Sequence, residues 1–220
     1  MLFFEFLVTE VVTLVCYNLT TNEPLSNKSK LVVDIDMPNL SDFHFMNPKP
    51  QTSIELVSYT ILDIETSGLR PDRGAKITEV SILNRYSQKY YWKSNIDTCN
   101  VLGPNELSII LDCLKQGVVV GHNLQFDFWF IAYECSRYEL EGPDIQFIDT
   151  LSLARKVIPK ENSYRLCDLL KLFDIKITGE LHSAITDTEA TRALFWKLVE
   201  KGGISRVGDA GIKKMNWSNF

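Results

Sequence analysis

Several features that would identify a secreted, thiolate-metal or membrane protein are missing from this 220-residue sequence. It has five cysteines, an odd number, and no two of them form the C-x-x-C pair of a zinc or redox motif. We therefore expect reduced thiols and a cytoplasmic protein. The apolar start, MLFFEFLVTEVVTLVCY, lacks the basic residues of a signal peptide and is too short to span a bilayer, so we expect no membrane association.

An excess of positive charge is also lacking, because 23 Lys and Arg against 28 Asp and Glu leave a net charge of −5. The overall field of the protein does not attract polyanions, so a nucleic acid has to be held by local basic groups or by metal ions. One local group of basic residues lies in ARKVIPKENSYR, at 154–165. For this segment, a phosphate-binding track and a solvated helix face are equally good interpretations.

The chain divides into three regions by composition and pattern. Residues 1–50 contain two β-rich runs, at about 3–17 and 31–36, and run into the linker MNPKPQTS, which predicts a small β-rich N-terminal extension. Residues 55–203 form the main domain, and residues 204–220 form a C-terminal tail. The extension could mediate dimerisation, dock a partner such as a polymerase, or extend the sheet, and the sequence leaves these three open.

The main domain alternates strand and helix patterns. The apolar alternation predicts strands at 57–64, 76–84 and 87–93, as an antiparallel meander, and then at 118–121 and 145–149. Helices are predicted to begin at Pro104, near Asn123, and at about 150, 165 and 184. A run of strands followed by strand–helix alternation predicts an α/β sheet with helices packed on both faces.

Two acidic residues interrupt the first predicted strand, in TILDIETSGL at 60–69. Asp63 and Glu65 are two residues apart, so both side chains project from the same face near the carboxyl end of the strand. Carboxylates this close repel each other, and a divalent cation such as Mg²⁺ or Mn²⁺ relieves the conflict. For a D-x-E pair alone, a simpler interpretation is better: one acid pairs with a basic residue and the other faces water.

Two further acids and a histidine follow downstream. Asp127 lies between two phenylalanines in GHNLQFDFWF, at 121–130, inside a helix so apolar that solvation does not explain it. Asp187 lies five residues after His182 in LHSAITD, and His182 precedes the last helix in a loop. A lone histidine is more often structural than catalytic, but the three acid clusters reverse that preference here.

In this order, LDIETSGL, GHNLQFD and HSAITD followed by TRALF resemble the motifs of the DEDDh family of 3′→5′ exonucleases, the DnaQ-like group, over residues 57–200. The resemblance implies a ribonuclease H-like fold, a mixed sheet flanked by helices on both faces. It also implies two divalent cations, Mg²⁺ or Mn²⁺, with a histidine as general base. The implied ligands are Asp63, Glu65, Asp127 and Asp187, the implied base is His182, and the implied substrate contacts are Thr66, Leu69, Asn123 and Phe126, with Leu69 wedged against the terminal base.

A competing motif lies inside the same region. A sister group of exonucleases uses a tyrosine in the pattern Y-x-x-x-D, and Tyr164 with Asp168 has that spacing. However, RLCDLLKLF has the pattern of an amphipathic helix, and this segment resembles the family's segment before the third motif. The role of the base is therefore assigned to His182.

The resemblance implies a metal-dependent 3′→5′ exonuclease that releases nucleoside 5′-monophosphates from 3′ ends, with single-stranded or frayed DNA favoured. Two alternatives remain: an exoribonuclease of the same fold, and a non-catalytic module that binds nucleic acid or a polymerase. Such a module has no need of four acids and a histidine, so the sequence favours catalysis. The pathway, for example proofreading, DNA repair or RNA processing, stays open.

Overall fold

The structure is a computed structural model, and it describes residues 47–84, 89–94, 102–179 and 181–220. The β-rich extension predicted for residues 1–50 falls almost wholly outside these ranges, so its strands and its role stay predictions. Among the helices in the described ranges, none combines the length and the apolar character that a membrane span requires.

Within the described residues, six strands form one mixed sheet. They are β1 (Tyr59–Thr66), β2 (Ile77–Asn84), β3 (Lys89–Lys93), β4 (Val118–Gly121), β5 (Gln146–Asp149) and β6 (Lys213–Lys214), in the spatial order β3-β2-β1-β4-β5-β6. β1, β2 and β3 pair antiparallel, which confirms the predicted meander, whereas β1, β4 and β5 are parallel. The carboxyl ends of these three parallel strands meet at one edge of the sheet, where α/β proteins place their ligand sites.

Helices cover both faces of the sheet, as the sequence predicted. They are α1 (Pro104–Leu114), α2 (Leu124–Arg137), α3 (Thr150–Val157), α4 (Leu166–Leu172) and α5 (Ala184–Lys201). Leu107 of α1 and Phe128 of α2 are fully buried in the core on one face. Leu153 of α3, Leu169 of α4 and Leu194 of α5 are fully buried in the core on the other.

The hydrophobic pattern of the strands explains this layering. β4, with the sequence VVVG, is buried at every position because helices cover it on both sides. In β1 the side chains alternate: Ile61 packs toward α3–α5, and Leu62 and Ile64 pack toward α1 and α2. This alternation decides which face receives the polar residues at the end of β1.

Residues 204–220, expected from the sequence to be a tail, pack against the domain. The N–H of Ile54 donates to the carbonyl of Ser205 (3.0 Å), and the N–H of Met215 donates to the carbonyl of Ile145 (2.9 Å). β6 pairs antiparallel with β5 and so extends the sheet. The C-terminal segment therefore supplies the outermost strand of the sheet, next to β5.

Candidate active site

The first pair of acids lies at the carboxyl end of β1, on the face covered by α3–α5. Because side chains alternate along a strand, Asp63 and Glu65 project on the same side as Tyr59 and Ile61, which pack in that core. The ladder with β2 shifts its register between Glu65 and Thr66. Both acids are half-buried, so they are partly removed from water and still reachable.

The third acid, Asp127, lies in the first turn of α2, directly after β4. It is 5% exposed, and its Oδ1 accepts a hydrogen bond from the backbone N–H of Ile64 (3.1 Å). That bond joins the start of α2 to β1 at the residue between Asp63 and Glu65. Asn123, which precedes α2, has the left-handed backbone conformation (φ 68°) that this sharp strand-to-helix turn requires. The turn therefore brings the acid of the second motif to the acids of the first.

α5 brings the third motif to the same edge of the sheet. Asp187 lies in its first turn, and the N–H of Asp187 donates to the carbonyl of Ser183 (2.9 Å). His182 is exposed and precedes the helix in a left-handed conformation (φ 71°), which costs a non-glycine residue about 1–2 kcal/mol. One ligand atom from each of Glu65, His182 and Asp187 lies within 4.8 Å of the other two.

Burial raises the pKa of every carboxyl in this group, and repulsion from other acids adds to it at Asp63, Glu65 and Asp127. For Asp63 burial is the largest cause, and the charges of the neighbouring acids add to it. Burial raises the pKa of Asp127 to about 8, against the effect of two backbone hydrogen bonds that favour the charged form. Burial also raises the pKa of Glu65 and of Asp187, and the charge of His182 lowers both. The acids are therefore held in an arrangement that disfavours their charged forms.

Two carboxylate oxygens of the group indicate whether it fits a cation. Asp63 Oδ2 and Asp187 Oδ1 are buried, and neither has a hydrogen-bond partner among the described residues. A buried polar atom without a partner costs about 1–3 kcal/mol, and a divalent cation would supply the partner. A donor set made of carboxylate oxygens suits Mg²⁺ or Mn²⁺ rather than a metal that prefers thiolates. The residues present fit the cations that the motifs imply.

The four residues predicted to contact the substrate lie beside the acids in the chain. Thr66 ends β1, and its hydroxyl donates to the carbonyl of Gly68 (2.7 Å). Leu69 follows with 78% of its surface exposed, which is unusual for a large apolar side chain. Asn123 is exposed just before α2, and Phe126 is half-buried within its first turn. An exposed leucine and a half-buried phenylalanine thus lie within a few residues of the acids in the chain.

The competing tyrosine motif takes part in local structure. The hydroxyl of Tyr164 donates to the carbonyl of Ile158 (2.8 Å), and Asp168 accepts a hydrogen bond from the hydroxyl of Ser163 (2.6 Å). Tyr164 also packs against the core on the α3–α5 face. These contacts account for both residues without a role in catalysis.

Two acids at this edge were not predicted from the sequence. Glu79 of β2 is 8% exposed and lies directly opposite Glu65. Asp149 ends β5 and accepts hydrogen bonds from the N–H groups of Asn123 (2.9 Å) and Leu151 (3.0 Å). The signal for the first was an acid inside the apolar run ITEVSIL, and the signal for the second was an acid just before a helix, a frequent N-cap.

Known proteins match most of the chain. Residues 97–195 match the family model described as Exonuclease. DNA polymerase III PolC-type of Oceanobacillus iheyensis is 30% identical over 165 residues, which are 66% of this chain and 12% of that protein. The 3′-5′ exonuclease DinG of Bacillus subtilis is 26% identical over 165 residues, which are 65% of this chain and 18% of that protein. The chain thus spans only a small part of the length of these relatives.

Solved structures share the fold. The nuclease domain of 3′hExo, a DEDDh family member bound to rAMP, aligns with a TM-score of 0.56 at 13% identity and covers 68% of this chain and 94% of that one. Exonuclease X in complex with 5′ overhanging duplex DNA aligns with a TM-score of 0.51 at 19% identity and covers 70% of this chain and 98% of that one. The exonuclease model, the relatives and this shared fold confirm the resemblance of the motifs to those of the DEDDh, DnaQ-like exonucleases.

Proposed function

We propose that the chain is a divalent-metal-dependent 3′→5′ exonuclease that hydrolyses phosphodiester bonds at nucleic-acid 3′ ends and releases nucleoside 5′-monophosphates. One observation carries the proposal: Glu65 of β1, His182 just before α5 and Asp187 in the first turn of α5 each place one ligand atom within 4.8 Å of the other two. Pairing with His182 can offset at most one of the two negative charges of Glu65 and Asp187, and a divalent cation would neutralise both.

Each residue of the group has a separate role in this proposal. Asp63, Glu65, Asp127 and Asp187 would hold two cations, and the unpartnered oxygens of Asp63 and Asp187 support that role. Bound cations would supply Lewis-acid activation of water and would neutralise charge on the phosphate. His182 takes the proton of the attacking water at the ring nitrogen nearest the two acids, a role to which histidine is well suited.

The substrate is a 3′ end, with single-stranded or frayed DNA favoured over RNA. The relatives support the choice of DNA, because one is a DNA polymerase III of the PolC type, although 3′hExo bound to rAMP shares the fold. Leu69 would wedge against the terminal base and Phe126 would contact the terminal nucleotide, while Thr66 and Asn123 would orient it. Selection against RNA would require contacts that distinguish a nucleotide carrying a 2′-hydroxyl.

A polymerase or another nucleic-acid-processing protein is the proposed partner. The relationship to PolC-type polymerases supports this choice, since there the matching residues are a small part of a polymerase chain. Residues 1–50, which lie outside the matched exonuclease segment, are the proposed docking region.

The test is a time course with 5′-labelled single-stranded DNA and RNA of matched sequence, in Mn²⁺, in Mg²⁺ and in EDTA. Asp187→Asn serves as the inactive variant and Asp112→Asn as the matched control, because Asp112 is exposed on α1 and forms an ion pair with Lys115, the residue after that helix. We expect a metal-dependent ladder that shortens from the 3′ end in the wild type and the control and is absent in Asp187→Asn. No cleavage of either strand by the wild type would overturn the proposal and favour a binding module.

A further inference from the structure

Glu79 is a buried acid that the exonuclease motifs do not include. It lies on β2, directly opposite Glu65 in the antiparallel ladder, and projects to the same face of the sheet. Its charge contributes to the raised pKa of both Asp63 and Glu65, so Glu79 makes the charged forms of these two acids less favourable. A carboxylate kept at this position must be compensated by contacts of its own.

Three donors surround the Glu79 carboxylate. The backbone N–H of Ala184 donates to Oε2 (3.4 Å), and the hydroxyl of Tyr91 donates to the same oxygen (3.3 Å). The ammonium of Lys93, which lies directly across the β2–β3 ladder, forms an ion pair with Oε1. Tyr91 and Lys93 belong to β3 and Ala184 begins α5, so one carboxylate joins two strands to a helix.

The hydrogen bond from Ala184 to Glu79 caps the N-terminus of α5. The first N–H groups of a helix lack acceptors within it, and the side chain of the N-cap residue, Ser183, accepts none of them. Glu79 provides an acceptor and also a negative charge at the positive end of the helix dipole. A cap by Ser183 would only terminate the helix, whereas a cap that reaches from β2 also fixes the helix start relative to the sheet.

The capped residue lies between the two functional residues of the third motif, two positions after His182 and three before Asp187. We propose that Glu79 is a positioning residue of the exonuclease site, a cap from β2 that holds the start of α5 and thereby sets His182 and Asp187 against Glu65. The effect on turnover rests on the proposed function, whereas the capping contact does not.

The cap is tested by hydrogen exchange, measured by mass spectrometry on the full-length, metal-free protein. Glu79→Met removes the acceptor and the charge at similar length, and Glu79→Gln keeps the acceptor. Glu106→Met is the matched control, because Glu106 accepts the N–H of Gly103 (3.2 Å) and so caps α1 on the opposite face. We expect exchange in residues 182–188 to be about tenfold faster in Glu79→Met and near the wild-type rate in Glu79→Gln and Glu106→Met. Unchanged exchange in Glu79→Met would overturn the cap.

The consequence for turnover is tested by steady-state kinetics on the labelled DNA. We expect Glu79→Met to lower kcat about tenfold or more with KM within about threefold, because a small displacement of reacting groups is costly. Glu79→Gln should recover kcat to within about threefold of the wild type, since an amide oxygen can accept the same N–H. Full kcat in a folded Glu79→Met protein would contradict the positioning role.

Three further outcomes are informative. If Glu79→Gln lost as much Mn²⁺ affinity as Glu65→Gln, Glu79 would be a ligand rather than a positioning residue, and the proposal would be wrong. If Glu79→Met does not fold, Tyr91→Phe and Lys93→Met remove the donors that orient the carboxylate, and both should raise exchange in residues 182–188. If the wild type lacks exonuclease activity, the proposed function fails, and the exchange result still decides the cap.

Discussion

Replacing Asp127 with asparagine tests whether the buried acids lower the free energy of unfolding when no cation is bound. Asp127 is 5% exposed, and burial raises its pKa from 3.8 to about 8. An aspartate in the unfolded chain keeps its ordinary pKa, so the folded state binds more protons in the range between these two values. The free energy of unfolding is therefore unaffected by this carboxyl below about pH 4. Above that value it falls as the pH rises toward about 8.

The size of the effect follows from that difference. From about pH 4 to about pH 7, roughly three pH units, the carboxyl is ionised in the unfolded chain but protonated in the folded one. Each unit lowers the free energy of unfolding by ~1.4 kcal/mol, so the loss at about pH 7 is ~4 kcal/mol. Asparagine carries no charge, and its Oδ1 can still accept the N–H of Ile64. Its amide group adds buried donors, which costs about 1–2 kcal/mol where they lack partners. We therefore expect Asp127→Asn to raise the free energy of unfolding by about 2–3 kcal/mol at neutral pH.

The assay is urea denaturation in EDTA, followed by tryptophan fluorescence at about pH 5 and about pH 7. The stabilisation of Asp127→Asn should be larger by ~3 kcal/mol at the higher pH. Asp112→Asn is the control, because the side chain of Asp112 is 71% exposed, so its replacement should change stability by less than about 1 kcal/mol at both pH values. A stabilisation of Asp127→Asn that does not grow with pH would refute the reasoning from burial.

Three further predictions concern the acids and the histidine. Asp63→Ala and Asp187→Ala should each lower the cleavage rate at least about 10³-fold with an unchanged circular dichroism spectrum, because each would remove a proposed cation ligand. A normal ladder from either variant would refute the ligand assignment. His182→Ala should lower kcat by about 10²–10⁴-fold and leave Mn²⁺ affinity, measured by calorimetry, within about threefold; an affinity loss as large as in the aspartate variants would contradict its role as base. Mn²⁺ should bind the wild type more tightly as the pH rises from about 6 to about 8, because carboxyls with a raised pKa must release protons first; calorimetry in two buffers that shows no proton release would contradict this.

Local patterns were sufficient to locate most elements. The run VVVG predicted a buried strand at 118–121, and β4 spans Val118–Gly121, because four consecutive apolar residues fit a strand covered on both faces. The last helix was predicted to begin at about 184, and α5 spans Ala184–Lys201. β6 escaped prediction because its two lysines carry no apolar alternation, and the segment becomes a strand only by pairing with β5.

The sequence by itself determined the identity and the order of the acids and the histidine. It also placed Asp63 and Glu65 on one face of a strand, since that follows from a spacing of two. Only the tertiary structure decided which carboxylates meet, because the distance between β1 and α5 depends on strand order and helix packing rather than on local spacing. The same holds for Glu79: it is one more strand residue in the sequence, and it becomes a cap of α5 only where the sheet and the helix come together.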